Sequence, residues 1–158
     1  MTIKCDKIYT FDLTGRFSFG NLPEVVLINL YKDGRVASKM LEHQLPHWFP
    51  ELSFVDKTGY DHVDVNNSIY KFELKCFTKR GTVYAPSNMV GKGRKIVLET
   101  VYQHAANITY VFADINDFPS VNIIFKKGVD LIQSFPLAKI KFKERNLLFN
   151  EQPIMEHV

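Results

Sequence analysis

The chain has 158 residues, 20 Lys+Arg against 17 Asp+Glu, and a formal net charge of +3. That is the length of one domain, which buries roughly 70% of its unfolded surface and needs no disulfide or zinc staple. With 46% hydrophobic and 23% charged residues the chain is not broadly disordered, and no apolar run approaches the ~18 residues of a membrane span.

Taken in order, the opening MTIKCDKIYTFD lacks the apolar stretch of an export signal. Cys5 and Cys76 are too few for a disulfide framework and lack zinc-ligand spacing, so a reducing, cytoplasmic compartment is expected. Leu22 to Leu45 reads as mostly helical, with Asn21 as cap, Pro23 in the first turn and a break at Asp33-Gly34. Pro46 and Pro50 are expected to end it. Leu52 to Val55 is a strand, and Lys57-Thr58-Gly59 a turn. Asp61 to Val65 and Ile69 to Phe77 form a hairpin about Asn66-Asn67-Ser68. Thr78 to Lys95, with four Gly and Pro residues, is loop with a short strand at Thr82 to Tyr84. Ile96 to Ala106 is read as helix. Ile108 to Ile115 and Val121 to Phe125 are strands, Ala138 to Phe142 a last one, and the tail after Leu148 is loosely ordered. The whole chain, 1–158, is expected to form one domain of α/β or α+β class.

Charge is unevenly spread. Residues 1–70 sum to −2 and residues 96–158 to −1, whereas residues 71–95 sum to +6. Such a local field suits a polyanion, although a solvated strand-loop surface would look the same. Lys126, Lys127, Lys139, Lys141 and Lys143 form a second basic set, explained equally well as solvated edge lysines.

The chemistry centres on Tyr60 to Lys75. On a strand, Glu73 and Lys75 point one way, and Tyr70, Phe72, Leu74 and Cys76 the other, into a core. Asp61 on the preceding strand lies close to Glu73. Two carboxylates held together favour a hard divalent cation. A lysine beside them suits orienting a water or stabilising an anionic phosphate. Glu73-Leu74-Lys75 is the only acidic-x-Lys triplet in the chain. Asp64 is a rival to Asp61, on the opposite face by alternation. Glu42, on the preceding helix, is either a further metal ligand or a solvated carboxylate, and Asp56 has similar standing. His43 and His47 are read as structural or surface residues, His104 as a partly buried histidine, and Trp48-Phe49 as core or a dimer contact.

The pattern Asp61-(11 residues)-Glu73-Leu74-Lys75, within YDHVD…YKFELK, resembles the PD-(D/E)xK nuclease superfamily and, within it, type II restriction endonucleases. The likeness is sharp over residues 59–77 and looser on either side, and Tyr60 rather than Pro precedes Asp61. The resemblance implies a central mixed β-sheet flanked by helices, an α/β fold. It implies Mg2+-dependent, sequence-specific cleavage of double-stranded DNA by a homodimer, with Mn2+ expected to substitute. Asp61, Glu73 and Lys75 would be catalytic, and Asp61, Glu73 and the Leu74 backbone carbonyl would hold the metal. Lys79, Arg80, Ser87, Asn88, Lys92, Arg94 and Lys95 are the expected DNA contacts, with Arg80, Asn88 and Arg94 able to read base edges. Competing readings are another nuclease of the superfamily (phage, repair or junction-resolving) and a non-catalytic nucleic-acid-binding domain.

Overall fold

In a computed structural model describing residues 3–151, strands occupy the runs of β-branched and aromatic residues. They are β1 (Ile8–Asp12), β2 (Leu52–Lys57), β3 (Tyr60–Asp64), β4 (Lys71–Phe77), β5 (Thr82–Val83), β6 (Ile108–Asp114), β7 (Ser120–Lys127) and β8 (Lys139–Ile140). Six form one mixed sheet in the order β1-β7-β6-β4-β3-β2, while β5 and β8 pair separately. Only β4 and β6 run parallel. The parallel pairing needs a crossover, and α3 (Leu98–Ala105) lies on it.

Both faces of the sheet are covered. Alternation along β6 sends Val111 and Ala113 to one core, beside Leu41, Leu45 and Phe49, and Tyr110 and Phe112 to the other, beside Val101 and Leu131. The helices α1 (Glu24–Tyr31) and α2 (Gly34–Trp48) cover the first face, and α3 and α4 (Gly128–Ser134) the second. A last short helix, α5 (Arg145–Leu148), is pinned by Arg145 to Asp114 and Asp117, each at 2.6 Å.

Several expectations need correction. The helical region does break at Asp33-Gly34, but Pro23 rather than Asn21 occupies the α1 N-cap. Helix α2 runs through Pro46 to Trp48. Tyr70 is 59% exposed, because the β3–β4 connection spans 65–70 and the residue falls on it rather than in the strand. Strand β1 and helix α4 have no counterpart in the sequence reading. Phe49 is wholly buried in the core, and Trp48, half-buried, stacks on Phe11 at 4.2 Å against it. The tail reading extends past residue 151 and there lies outside the described residues. Among the described residues no helix is long and apolar enough to cross a membrane.

Candidate active site

The β3–β4 hairpin positions the central residues. His62 pairs with Phe72 and Val63 with Lys71. Continuing this register sets Asp61 opposite Glu73, where the ladder ends. There Asp61 Oδ2 accepts the Leu74 backbone N–H at 2.9 Å in place of a strand partner. The Leu74 carbonyl shares that edge of the strand. Asp64 instead closes the hairpin loop, accepting the N–H groups of Asn66 and Asn67 at 2.7 and 3.1 Å. The structure thus separates the two aspartates by task.

Asp61 meets Glu42 of α2 and Asp56 of β2, with one carboxylate oxygen of each lying within 4.8 Å of the others. The register of β2 shifts between Phe54 and Lys57, and Asp56 has φ of +46°. Burial, then the Asp61 charge, raises the Glu42 pKa. Burial also raises that of Asp61, against the Leu74 N–H bond, and Glu73 adds to the rise. The Lys39 ammonium stands 3.2 Å from Glu42 and 3.7 Å from Asp56. A cation is thus already drawn to these oxygens. The spacing matches an ion whose oxygen ligands lie about 2.0–2.6 Å away, and hard carboxylates suit Mg2+, Mn2+ or Ca2+. The donor set therefore fits a divalent metal. Glu73 is not part of this three-carboxylate group.

A proline explains how Glu42 is held. Pro46 has no N–H to give the Glu42 carbonyl four residues earlier. The carbonyl takes a hydrogen bond from His62 Nε2 instead, at 2.7 Å. His62 is fully buried, and burial lowers its pKa, so it serves as a neutral donor. This bond ties the helix bearing Glu42 to the residue beside Asp61. The sequence held no sign of it, since Pro46 reads locally as a helix end and its replacement donor comes from another element.

Glu73 is buried and already partnered on both oxygens. Lys75 Nζ lies 3.3 Å from Oε1, and His104 Nε2 donates to Oε2 at 3.1 Å. Lys75 Nζ also donates to the Ala85 carbonyl at 3.1 Å. The imidazole of His104 rests against the β2–β3 turn: a Cβ on Gly59, at φ +87°, would stand 3.1 Å from His104 Cε1. The pairing of His104 with Glu73 was not legible in the sequence, since a helix thirty residues downstream supplies it.

A cleft of about 820 Å³ opens at Lys75 and Glu42. Of the expected DNA contacts, Lys79, Arg80 and Ser87 line it, whereas Asn88, Lys92, Arg94 and Lys95 do not. The Arg94 guanidinium donates to the carbonyls of Ser87 and Val90 at 3.1 and 3.3 Å, holding its own loop. In the second basic set Lys126 is bound to Asp6 at 2.7 Å. His43 and His47 are exposed on α2.

No family model, curated protein or solved structure matches the chain.

Proposed function

We propose that the protein is a divalent-metal-dependent endonuclease of the PD-(D/E)xK type. It would hydrolyse phosphodiester bonds of double-stranded DNA in the manner of a restriction enzyme, on a restriction-endonuclease-like fold. One observation carries the reading: Asp61, bonded to the backbone between Glu73 and Lys75, joins a carboxylate cluster to an acid-lysine pair at the end of a basic cleft.

In this reading Asp61 and the Leu74 carbonyl would hold a Mg2+ ion together with Glu42, and Asp56 stands close enough to share it. A divalent ion held there would lower the pKa of a water and polarise the phosphate. Lys75 orients that water by hydrogen bonding and stabilises the charge that develops on the phosphate oxygens. His62 keeps Glu42 facing Asp61, and His104 steadies Glu73. Each step is a matter of positioning and charge, which is what phosphoryl chemistry asks of a protein.

A double-strand cut in one encounter needs two copies, and α1 suits a self-interface. Its sequence, EVVLINLY, is apolar nearly all round, yet Leu27 is its only buried residue, and Val25 is 65% exposed. Incubation with plasmid DNA tests the function. Discrete fragments with Mg2+ or Mn2+ and none with EDTA are expected, together with a dimeric mass by light scattering. Smeared DNA would favour a non-specific nuclease of the superfamily, and untouched DNA with retained binding would favour a non-catalytic binder.

A further inference from the structure

The net-negative first seventy residues supply one wall of the basic cleft. Its walls come from two places: the β4–β5 turn with the segment after it, and the junction of α1 and α2. From that junction Asn29, Lys32, Arg35 and Ser38 line the cavity. Its full lining sets five cations, Lys32, Arg35, Lys75, Lys79 and Arg80, against the acids Asp33 and Glu42. Neither acid is free. Asp33 accepts the backbone N–H of Arg35 at 2.9 Å and holds its guanidinium through two further bonds, and Glu42 takes Lys39. Arg35 is thereby held at the cleft with other N–H groups still available. The amino end of the 15-residue α2 points the same way and adds its partial positive charge. Gly34 closes the floor: a Cβ there would stand 3.3 Å from Cys76 Cβ, so α2 begins in contact with β4.

Among the described residues no aromatic side chain lines the cleft. Binding of unstacked single strands uses aromatic platforms. Cations, hydroxyls and amides without rings are instead the equipment for a phosphodiester backbone whose bases remain paired. Arg35, Ser38 and Glu42 share one stripe of α2, being three and seven residues apart. Arg35 thus stands roughly 10 Å along the axis from the carboxylate cluster, at 1.5 Å per residue. At 3.4 Å of duplex axis per nucleotide of one strand, that span covers at most about three nucleotides.

We infer that Lys32 and Arg35 are a phosphate-backbone site, gripping duplex DNA within about three nucleotides of the bond to be cut, across the cleft from Lys79 and Arg80. The inference rests on the nuclease reading for the identity of the polyanion, and its test separates the two.

Binding of a fluorescent duplex is measured in Ca2+ or EDTA across 50–200 mM salt. Lys32→Ala/Arg35→Ala should reduce the slope of log K against log salt by about two and weaken binding at least tenfold at the low-salt end. The matched control Lys4→Ala/Lys7→Ala removes two exposed lysines outside the cleft and should do neither. Asp33→Asn, which keeps the helix cap, should tighten binding several-fold. Duplexes with one neutral methylphosphonate linkage locate the contact: wild type should lose affinity at one or more linkages within about three of the cut, and the double variant should not. A double variant with the control's slope, or full sensitivity to every neutral linkage, overturns the site. Wild-type cleavage of plasmid with Mg2+ is read separately. Cleavage with an unchanged slope overturns this site alone, and a changed slope without cleavage overturns the nuclease reading alone.

Discussion

Two groups of charged side chains meet at Leu74 and differ in what balances them. On one side, Glu42, Asp56 and Asp61 share one ammonium, that of Lys39, whose side chain is 67% exposed. On the other, Glu73 alone has two basic partners, Lys75 and His104, both largely shielded from water. The first group sets three carboxylates against one ammonium, and burial first, then a neighbouring carboxylate, raises the pKa values of Glu42 and Asp61. The second is matched one carboxylate to two bases. Carboxylates of one chemistry are thus set for two tasks, holding a cation that arrives from solution and holding a fixed base in register.

The largest effect should separate the two groups directly. Asp61→Asn keeps an acceptor for the Leu74 N–H but removes the charge common to both sides. Cleavage of plasmid should fall on the order of 10³-fold, with DNA binding in EDTA retained. Glu73→Gln should fall comparably while still binding Mn2+, as read by electron paramagnetic resonance. Equal loss of Mn2+ binding in both would merge the groups into one.

A smaller effect comes from the bolt that holds Glu42. His62→Leu leaves the Glu42 carbonyl without a donor and should lower Mn2+ affinity about 10–100-fold, with partial recovery in His62→Gln. Pro46→Ala restores a helical N–H. The double variant Pro46→Ala/His62→Leu should therefore regain thermal stability and not metal affinity. Recovery of both would reduce His62 to a structural role.

Gly59→Ala strains a backbone at φ +87° and presses on His104. A penalty of about 1–3 kcal/mol in urea unfolding is expected. A several-fold loss of kcat should follow, with Mn2+ affinity unchanged, because the disturbance falls on the Glu73 side.

The smallest effect is on pH dependence without metal. Glu42 and Asp61 have folded pKa values raised above their ordinary 4.5 and 3.8, so the native state holds these protons more tightly than the unfolded chain. Their stabilising contribution is complete below the ordinary values and is lost as pH rises through the raised ones. Glu42→Gln and Asp61→Asn should each raise the neutral-pH melting temperature by about 2–4 °C, with the gain vanishing near pH 4. Divalent metal should raise the melting temperature of the wild type more than that of either variant. A destabilised Asp61→Asn at neutral pH would contradict the surplus of charge on that side.

Much of the fold was legible locally. Alternating apolar residues at 108–115 and 121–125, and the apolar run of 69–77 behind Glu73 and Lys75, mark strands because a sheet shows its pattern within a few residues. Asp33-Gly34 marked the helix break in the same way. Strand β1 escaped notice because it lies at the sheet edge, partnered only by β7 more than a hundred residues away. Pro46 misled because its missing hydrogen bond is replaced from another element, a compensation that local rules do not contain.

By itself, the sequence determined the hairpin, the spacing of Asp61 from Glu73-Leu74-Lys75, and the candidacy of Glu42 and Asp56, since these depend on alternation and turn chemistry over short separations. Only the tertiary structure decided that Asp61 joins Glu42 and Asp56 while Glu73 faces His104, and that Lys32 and Arg35 confront Lys79 and Arg80 across one cleft. The physical reason is range: strand and helix periods are set by neighbouring residues, whereas electrostatic partnership is set by distance in space, which the packing of α2 and α3 on opposite faces of the sheet fixes.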